Sequence, residues 1–395
     1  MLSVVAPSAG LAARLAGFDP NVLDAGRRLA ALDRFFSARS GREKPGRFWR
    51  VDLEAQVPAA ASVDPSAGSV SIEGAAGRAV VCDLASAARE HAGLLSRVFG
   101  ATAAGTTKFG ALATAFAGTG AFVYLPPDCA CDDPIVVRYA IPGGASVFPY
   151  TLVLAERGAR ATIVERLEAG AESFACGVTE IVTEESAGVT CASLQTAAPD
   201  ATVLQTRAAR PGRDARVSWA VAELGAGLAV TDVSVEIERP GAQAALTALF
   251  FPNGTQHVDV ASTMRHDVGE SASETIVKSA AVDRGQARYL GNIRIAHHAQ
   301  GSDASLRDDA LLLSSRAHID SVPALEIAAN DVKAYHGATV GALDADQIFY
   351  MESRGIGRTQ AERMIALGFF EPAVERFPTE ALREELRRAL QSKLP

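Results

Sequence analysis

The chain has 395 residues, of which 48% are hydrophobic and 21% charged, and its net charge is -8. That length suits two or three units of roughly 150 residues, and the composition excludes wholesale disorder. An acidic balance excludes a broad electrostatic grip on nucleic acid, which needs clustered Lys and Arg. From Met1 to about Gly100 the pattern is helical, with Val22, Leu29, Leu32, Phe35 and Phe36 near helical spacing between arginines. Ala59 to Gly77 is small residues, Pro and Gly, and reads as a loop or linker. A second helix is predicted over Leu84 to Phe99. Met1 to Gly17 has no basic n-region and is interrupted by Arg14, and no apolar run reaches the roughly 18 residues of a spanning helix. The expectation is a soluble, cytoplasmic chain with neither a membrane nor nucleic acid as partner.

From about Ala121 to Tyr335 the texture changes. Short β-rich runs follow one another: Phe122 to Leu125, Ile135 to Ala140, Ser146 to Leu154, Ala161 to Leu167, Arg216 to Leu224 and Val230 to Ile237. His257 to Met264, Thr275 to Val282, Ala287 to Ile295 and Leu325 to Ala328 continue the series. No long amphipathic helix separates them, so a doubly wound α/β sheet is disfavoured. The strand centres recur loosely, which fits a stacked β-helix; a two-sheet sandwich or jelly roll fits the periodicity equally well. From Leu343 the pattern returns to helix. Asp344 with Gln347 makes a capping box and Gly355 ends that helix; Thr359 with Glu362 makes a second box, and Gly368 closes the helix it opens. After Pro372 and Pro378, Thr379 opens a last helix with Leu382, Leu386, Ala389 and Leu390 on one face. The fold class is therefore mainly β, with a core over 111–341 between helical regions at 1–110 and 342–395.

Motifs for chemistry are few. Gly100 to Lys108 has glycine spacing like a Walker A loop, but the lysine sits two places late and no Ser or Thr follows it. Gly118-Thr-Gly120 and Gly225-Ala-Gly227 lack a third glycine and read as turns. There is no Gly-x-Ser-x-Gly elbow and no His-Glu-x-x-His helix. The five cysteines, Cys82, Cys129, Cys131, Cys176 and Cys191, all lie in the first half, which fits a reducing compartment better than a disulfide framework. Cys129-Ala-Cys131 is a C-x-C pair able to hold a soft metal, though an incidental structural role is the leading reading. Six of the seven histidines lie in the second half. His257, His297 and His298 read as turn or surface residues, and His266 is undecided. His318 and His336 are 18 residues apart, close to one rung of a β-helix, so their imidazoles are expected to approach. The densest polar run is Asn330 to Gly337, where Asp331, Lys333 and His336 converge at a strand end.

The run from Pro323 to Gly341, Pro-Ala-Leu-Glu-Ile-Ala-Ala-Asn-Asp-Val-Lys-Ala-Tyr-His-Gly-Ala-Thr-Val-Gly, resembles the signature of the SufB/SufD family of iron–sulfur cluster assembly proteins. The likeness continues through Leu343-Asp344, Ile348-Phe349-Tyr350, Ser353-Arg354-Gly355-Ile356, Ala361 and Gly368-Phe369. Upstream it includes Lys278, Gly291-Asn-Ile, Ala299-Gln300 and Leu311-Leu-Leu-Ser314. It covers about 110 residues, from His266 to Phe377; before that, only Arg47 to Leu53 weakly matches. The resemblance implies a right-handed parallel β-helix between helical terminal domains, in a complex of SufB, SufD and the ATPase SufC. It places a SufB junction on Asp331, Lys333 and His336, with His336 as the residue for transient iron or a nascent cluster shared with SufB and His318 as a second candidate. It places SufC on Asp344, Phe349, Tyr350, Arg354, Gly355 and Phe369. The chain itself is then a non-catalytic subunit without a stably bound cofactor, able to form a homodimer in isolation. Because no cysteine follows Cys191, the chain is most similar to the SufD branch; the same position two before His336 that is Cys in many members is Ala334 here. A SufB-type scaffold and, from a different class, a β-helix carbohydrate-active enzyme are the alternatives. For the latter the candidate carboxylate pair, Asp308 and Asp309, is adjacent on a strand and so faces opposite sides.

Overall fold

The computed structural model describes residues 23–38, 56–57, 67–74, 77–103 and 107–394. Its centre is a parallel β-helix of about eight turns, each turn contributing one strand to each of two sheets. One sheet runs β1 (Ser69–Glu73), β4 (Ile135–Ile141), β7 (Arg160–Ala169), β9 (Gly188–Gln195) and β11 (Arg216–Glu223). It continues through β13 (Gln243–Phe250), β15 (Ala272–Ala281) and β17 (Asp303–Leu312) to β19 (Lys333–Ala342). The other starts from β2 (Val80–Asp83), β3 (Thr119–Leu125), β6 (Pro149–Ala155) and β8 (Phe174–Thr183), with the short β5 (Ser146–Val147) beside β8. It continues through β10 (Thr202–Arg210), β12 (Leu228–Ile237), β14 (His257–His266) and β16 (Gln286–Ile295) to β18 (His318–Ile327). Stacked partners lie 26 to 32 residues apart, from Thr202 beneath Leu228 to Gln286 beneath His318. Only β1 and β2 pair antiparallel, and they close the N-terminal end.

Three apolar cores follow from the alternation of side chains across each strand. The lumen is filled by inward residues such as Val137, Ile163, Cys191, Trp219, Leu246, Tyr289 and Leu306. The outward residues of the second sheet, including Tyr150, Phe174, Leu204 and Val230, are covered by N-terminal helices. These are α1 (Ala25–Ser37), α2 (Leu84–Glu90), α3 (Ala92–Val98) and α4 (Lys108–Phe116). The outward residues of the first sheet, including Leu194, Ala222, Phe251 and Leu311, are covered by α6 (Arg358–Val374) and α7 (Glu380–Lys393). Between β19 and α6 lies α5 (Ala345–Ser353). Central strands therefore carry apolar side chains on both faces: all ten residues of β8 are buried. That double burial erases the two-residue alternation by which half-buried strands are recognised. It accounts for β8, β9, β10, β13 and β17 having escaped the sequence reading; β19, with no buried residue, was missed because its exposed polar run reads as a strand end.

Several expectations change in detail. The N-terminal region contributes strands β1 and β2 to the sheets as well as helices, and β1 falls inside the stretch read as a linker. The helix predicted over Leu84 to Phe99 is broken at His91, whose φ of -131° leaves the helical region. Val22 and the Trp49 segment lie outside the described residues. At the C-terminus Asp344 caps α5 through its bond from the Asp346 N–H, and Thr379 caps α7 through the Leu382 N–H. Gly355, at φ +85°, follows α5 in a conformation glycine adopts without a Cβ penalty. Gly368, by contrast, does not close α6, which starts after Gly357 and runs through Gly368 and Pro372 to Val374. Packing of Ala366, Phe370, Ala373 and Val374 on the first sheet overrides both breakers.

Candidate functional site

The N-terminal end of the β-helix is covered, whereas at the other end β18 and β19 are the outermost strands of their sheets. β19 stacks in register on β17, with His336 over Leu306, Ala338 over Asp308 and Thr339 over Asp309. Leu306 and Asp308 face the lumen and are buried. Register therefore carries His336 on the lumen-side face of the last turn, at its open mouth, while Tyr335, Gly337 and Thr339 take the outer face. His336 is exposed, and its ring makes no hydrogen bond or ion pair among the described residues. Val322, Ile327, Tyr335 and Val340 leave apolar surface on the same two strands, Tyr335 at 61% exposure.

Two neighbours distinguish this mouth. On the lumen side, Asp308 accepts a hydrogen bond from Ser321 on β18, and burial pushes its carboxyl up to about 7. On the outer side, Asp309 accepts from Lys278 (2.8 Å), Arg307 (3.0 Å) and Thr339 (2.8 Å). The Lys278 ammonium also sits 4.5 Å from the Phe369 ring centroid of α6. One carboxylate thus ties the edge strand to the C-terminal helices, and the second lies on the lumen side beneath Ala338, two residues along from His336. Asp308 and Asp309 do face opposite sides, which leaves no glycosidase-like pair. Asp308 and Ser321 were missed as mouth residues because a sequence does not show which strand of the next half-turn a carboxylate meets.

His318 and His336 do not stack. One turn takes about 30 residues, so an 18-residue separation puts them on different sheets: His318 pairs with Gln286 and His336 with Leu306. His318 is instead held by Asp320 at 2.9 Å. His266 is buried and donates or accepts between Ser271 and Ser273, each at 2.8 Å, and burial lowers it to about 4. Of the remaining junction residues, Lys333 is exposed, and the Asp331 backbone joins the turn below through Gln300 and Gly301. No cluster of three or more His, Cys, Asp or Glu able to hold a metal occurs among the described residues. His336 therefore belongs to no such cluster among the described residues.

The C-terminal candidates sort by exposure. Phe349, 70% exposed, and Tyr350 project from α5, and the Arg354 guanidinium lies 5.2 Å from the Tyr350 ring centroid. Met364 of α6 is exposed as well. Asp344 and Gly355 serve the ends of α5, and Phe369 is partly buried against Phe370 and Lys278. No helix among the described residues is long and apolar enough to cross a membrane.

Residues 139–369 match the family described as "SUF system FeS cluster assembly, SufBD core domain". An iron–sulfur cluster assembly SufBD family protein of Staphylococcus saprophyticus is 28% identical over 303 residues, 75% of this chain and 65% of its own length. The iron–sulfur cluster assembly protein SufD of Bacillus subtilis is 27% identical over 323 residues, 80% of this chain and 74% of its own. A Staphylococcus epidermidis SufBD family protein is 27% identical over 303 residues. The chain thus spans 65% of the length of the staphylococcal relatives. The matched region takes in β-helix turns, the open mouth and α5 together, and covers more than half the sequence: the chain belongs to the SufBD family of the SUF iron–sulfur cluster assembly system.

Proposed function

We propose that the chain works as a SufD-like, non-catalytic subunit: its open β-helix end pairs with SufB, its α5 face receives the ATPase SufC, and His336 offers an imidazole to iron or a nascent cluster passing between the chains. The observation that carries this reading is the last turn itself. Two parallel strands present unpaired edges, which are templates for another chain, and a lone neutral imidazole is a suitable iron ligand that needs further donors. A partner strand bringing thiolates would supply them. A lone SufB-type scaffold is disfavoured because Cys82, Cys129, Cys131, Cys176 and Cys191 all precede β10 in the chain, and the mouth is at β18 and β19. In the absence of SufB, the same edges make a homodimer the expected state.

Co-expression with SufB and SufC from the same source tests this. The tagged chain should retain both partners, and His336→Ala should keep the complex while lowering iron–sulfur cluster yield at least tenfold. A normal yield from that variant removes the role of His336, and failure to retain SufB removes the pairing.

A further inference from the structure

We infer that Cys129 and Cys131 form a two-coordinate site for a soft monovalent cation of the copper(I) class, at the closed N-terminal end of the β-helix and remote from the mouth. The segment is extended: Ala130 bridges Arg160 in parallel, the Cys131 N–H donates to the Arg160 carbonyl at 2.9 Å, and the Arg160 N–H donates to the Cys129 carbonyl at 2.7 Å. Residues i and i+2 of an extended segment share a face, and here that face is the lumen. Cys129 is buried in the lumen core, Cys131 packs partly buried against it, and the intervening Ala130 is exposed. The two side chains thus sit on one face, against the same lumen core.

Cys131 also lines a solvent groove with Arg160, Asp214 and Arg216, which gives an ion a way in. Soft thiolates select copper(I), and that ion is satisfied by two of them. Zinc wants four ligands, and no third His, Cys, Asp or Glu joins the pair among the described residues. The charge also suits a monovalent ion. Binding converts Cu⁺ and two R–SH into [Cu(SR)₂]⁻ and two H⁺: each S–H bond breaks with its electron pair left on sulfur, each pair forms a Cu–S bond, and nothing is oxidised. The product carries one negative charge, and two arginines, Arg160 and Arg216, line the same groove against one acid, Asp214. Thiolate, not thiol, is the metal-binding form, so the ion must displace both protons.

The test is anaerobic titration of the full chain with copper(I) as its acetonitrile complex, in competition with a chromogenic copper(I) chelator. One equivalent should bind, with a sulfur-to-copper charge-transfer band in the ultraviolet. Affinity should rise about 100-fold per pH unit near neutrality, the signature of two released protons. Cys131→Ser and Cys129→Ser should each weaken binding at least 100-fold, whereas Cys82→Ser should not change it. Cys131 is only partly buried, so its serine variant keeps the test open if Cys129→Ser fails to fold. Copper should also protect Cys131 from alkylation, read by peptide mass spectrometry. Absence of one-equivalent binding overturns the assignment, as does unchanged binding in the Cys131 variant or zinc binding as tight as copper.

Discussion

The Ser321 hydroxyl, on the outermost strand of one sheet, donates to the Asp308 carboxylate on the other, closing the lumen just below the mouth. The second carboxylate oxygen, Oδ1, has no hydrogen-bond partner among the described residues. Burial, helped by the neighbouring Asp309 carboxylate, raises this acid from its usual 3.8 to about 7, against weaker opposing contributions from Ser321 and Lys278. Between those two values the folded chain holds a proton that the unfolded chain has lost, so stability falls as pH rises through the window, by up to about 1.4 kcal/mol per unit. Asp308→Asn removes the titrating group. Urea unfolding at pH 5, 6, 7 and 8 should show a shallower decline for the variant, and greater stability than wild type at pH 8. Parallel pH profiles for the two proteins would contradict this.

Toward the N-terminal end of the β-helix a buried carboxylate gathers backbone and hydroxyl donors. Glu180 on β8 is buried and accepts from the N–H groups of Gly100 (2.6 Å), Thr102 (2.7 Å) and Ala103 (2.7 Å), and from the hydroxyls of Thr102 (2.9 Å) and Tyr150 (2.8 Å). Glu180→Gln puts an amide N–H₂ among donors and leaves some unsatisfied. A loss of about 2–3 kcal/mol is expected, together with faster proteolysis near residues 100–107. Unchanged stability would show that the clamp is not needed.

Asp309 joins three partners from different elements. Asp309→Ala should leave Lys278 paired only with the Phe369 ring and free Thr339. Hydrogen exchange should then accelerate in both 333–342 and 363–374, with an overall loss of about 1–3 kcal/mol. Acceleration in one segment alone would show that the carboxylate does not couple them.

Phe349 and Tyr350 are solvent-exposed and pack into none of the three cores. Phe349→Ser with Tyr350→Ser should therefore shift unfolding by no more than about 0.5 kcal/mol. On the proposed function the same pair should weaken SufC capture at least tenfold, since exposed aromatics are frequent anchors. Undiminished capture, measured by calorimetry, would move the docking surface elsewhere.

How much of this was legible in the sequence depends on where a residue's partners lie. The run from Pro323 to Gly341 carried the family, because its pattern is local, though not the strand β19 within it. Thr379 and the Leu382, Leu386 and Leu390 stripe were legible for the same reason. The segment from Gly100 to Lys108 departs from a phosphate loop in its lysine, yet the backbone donors of Gly100, Thr102 and Ala103 do surround an anion; that anion is Glu180, 80 residues from Gly100, which no motif announces. The separation of His318 and His336 was read against too short a turn, since a turn here contains two strands. Gly368 and Pro372 carried real stop signals, overridden by burial of the helix face between them.

The two helical layers have a bearing on how the chain unfolds. A bare solenoid touches only its neighbours and can lose turns one at a time. Here the N-terminal layer spans outward residues from Phe122 to Ala261 on one side, and the C-terminal layer spans Val164 to Leu311 on the other. Each acts as a splint across many turns, binding them into one cooperative block. Neither includes a buried residue of β18 or β19. The turn that bears His336 is thus the one left outside both splints, held to the block by its strand ladders and by the Asp309 contacts alone.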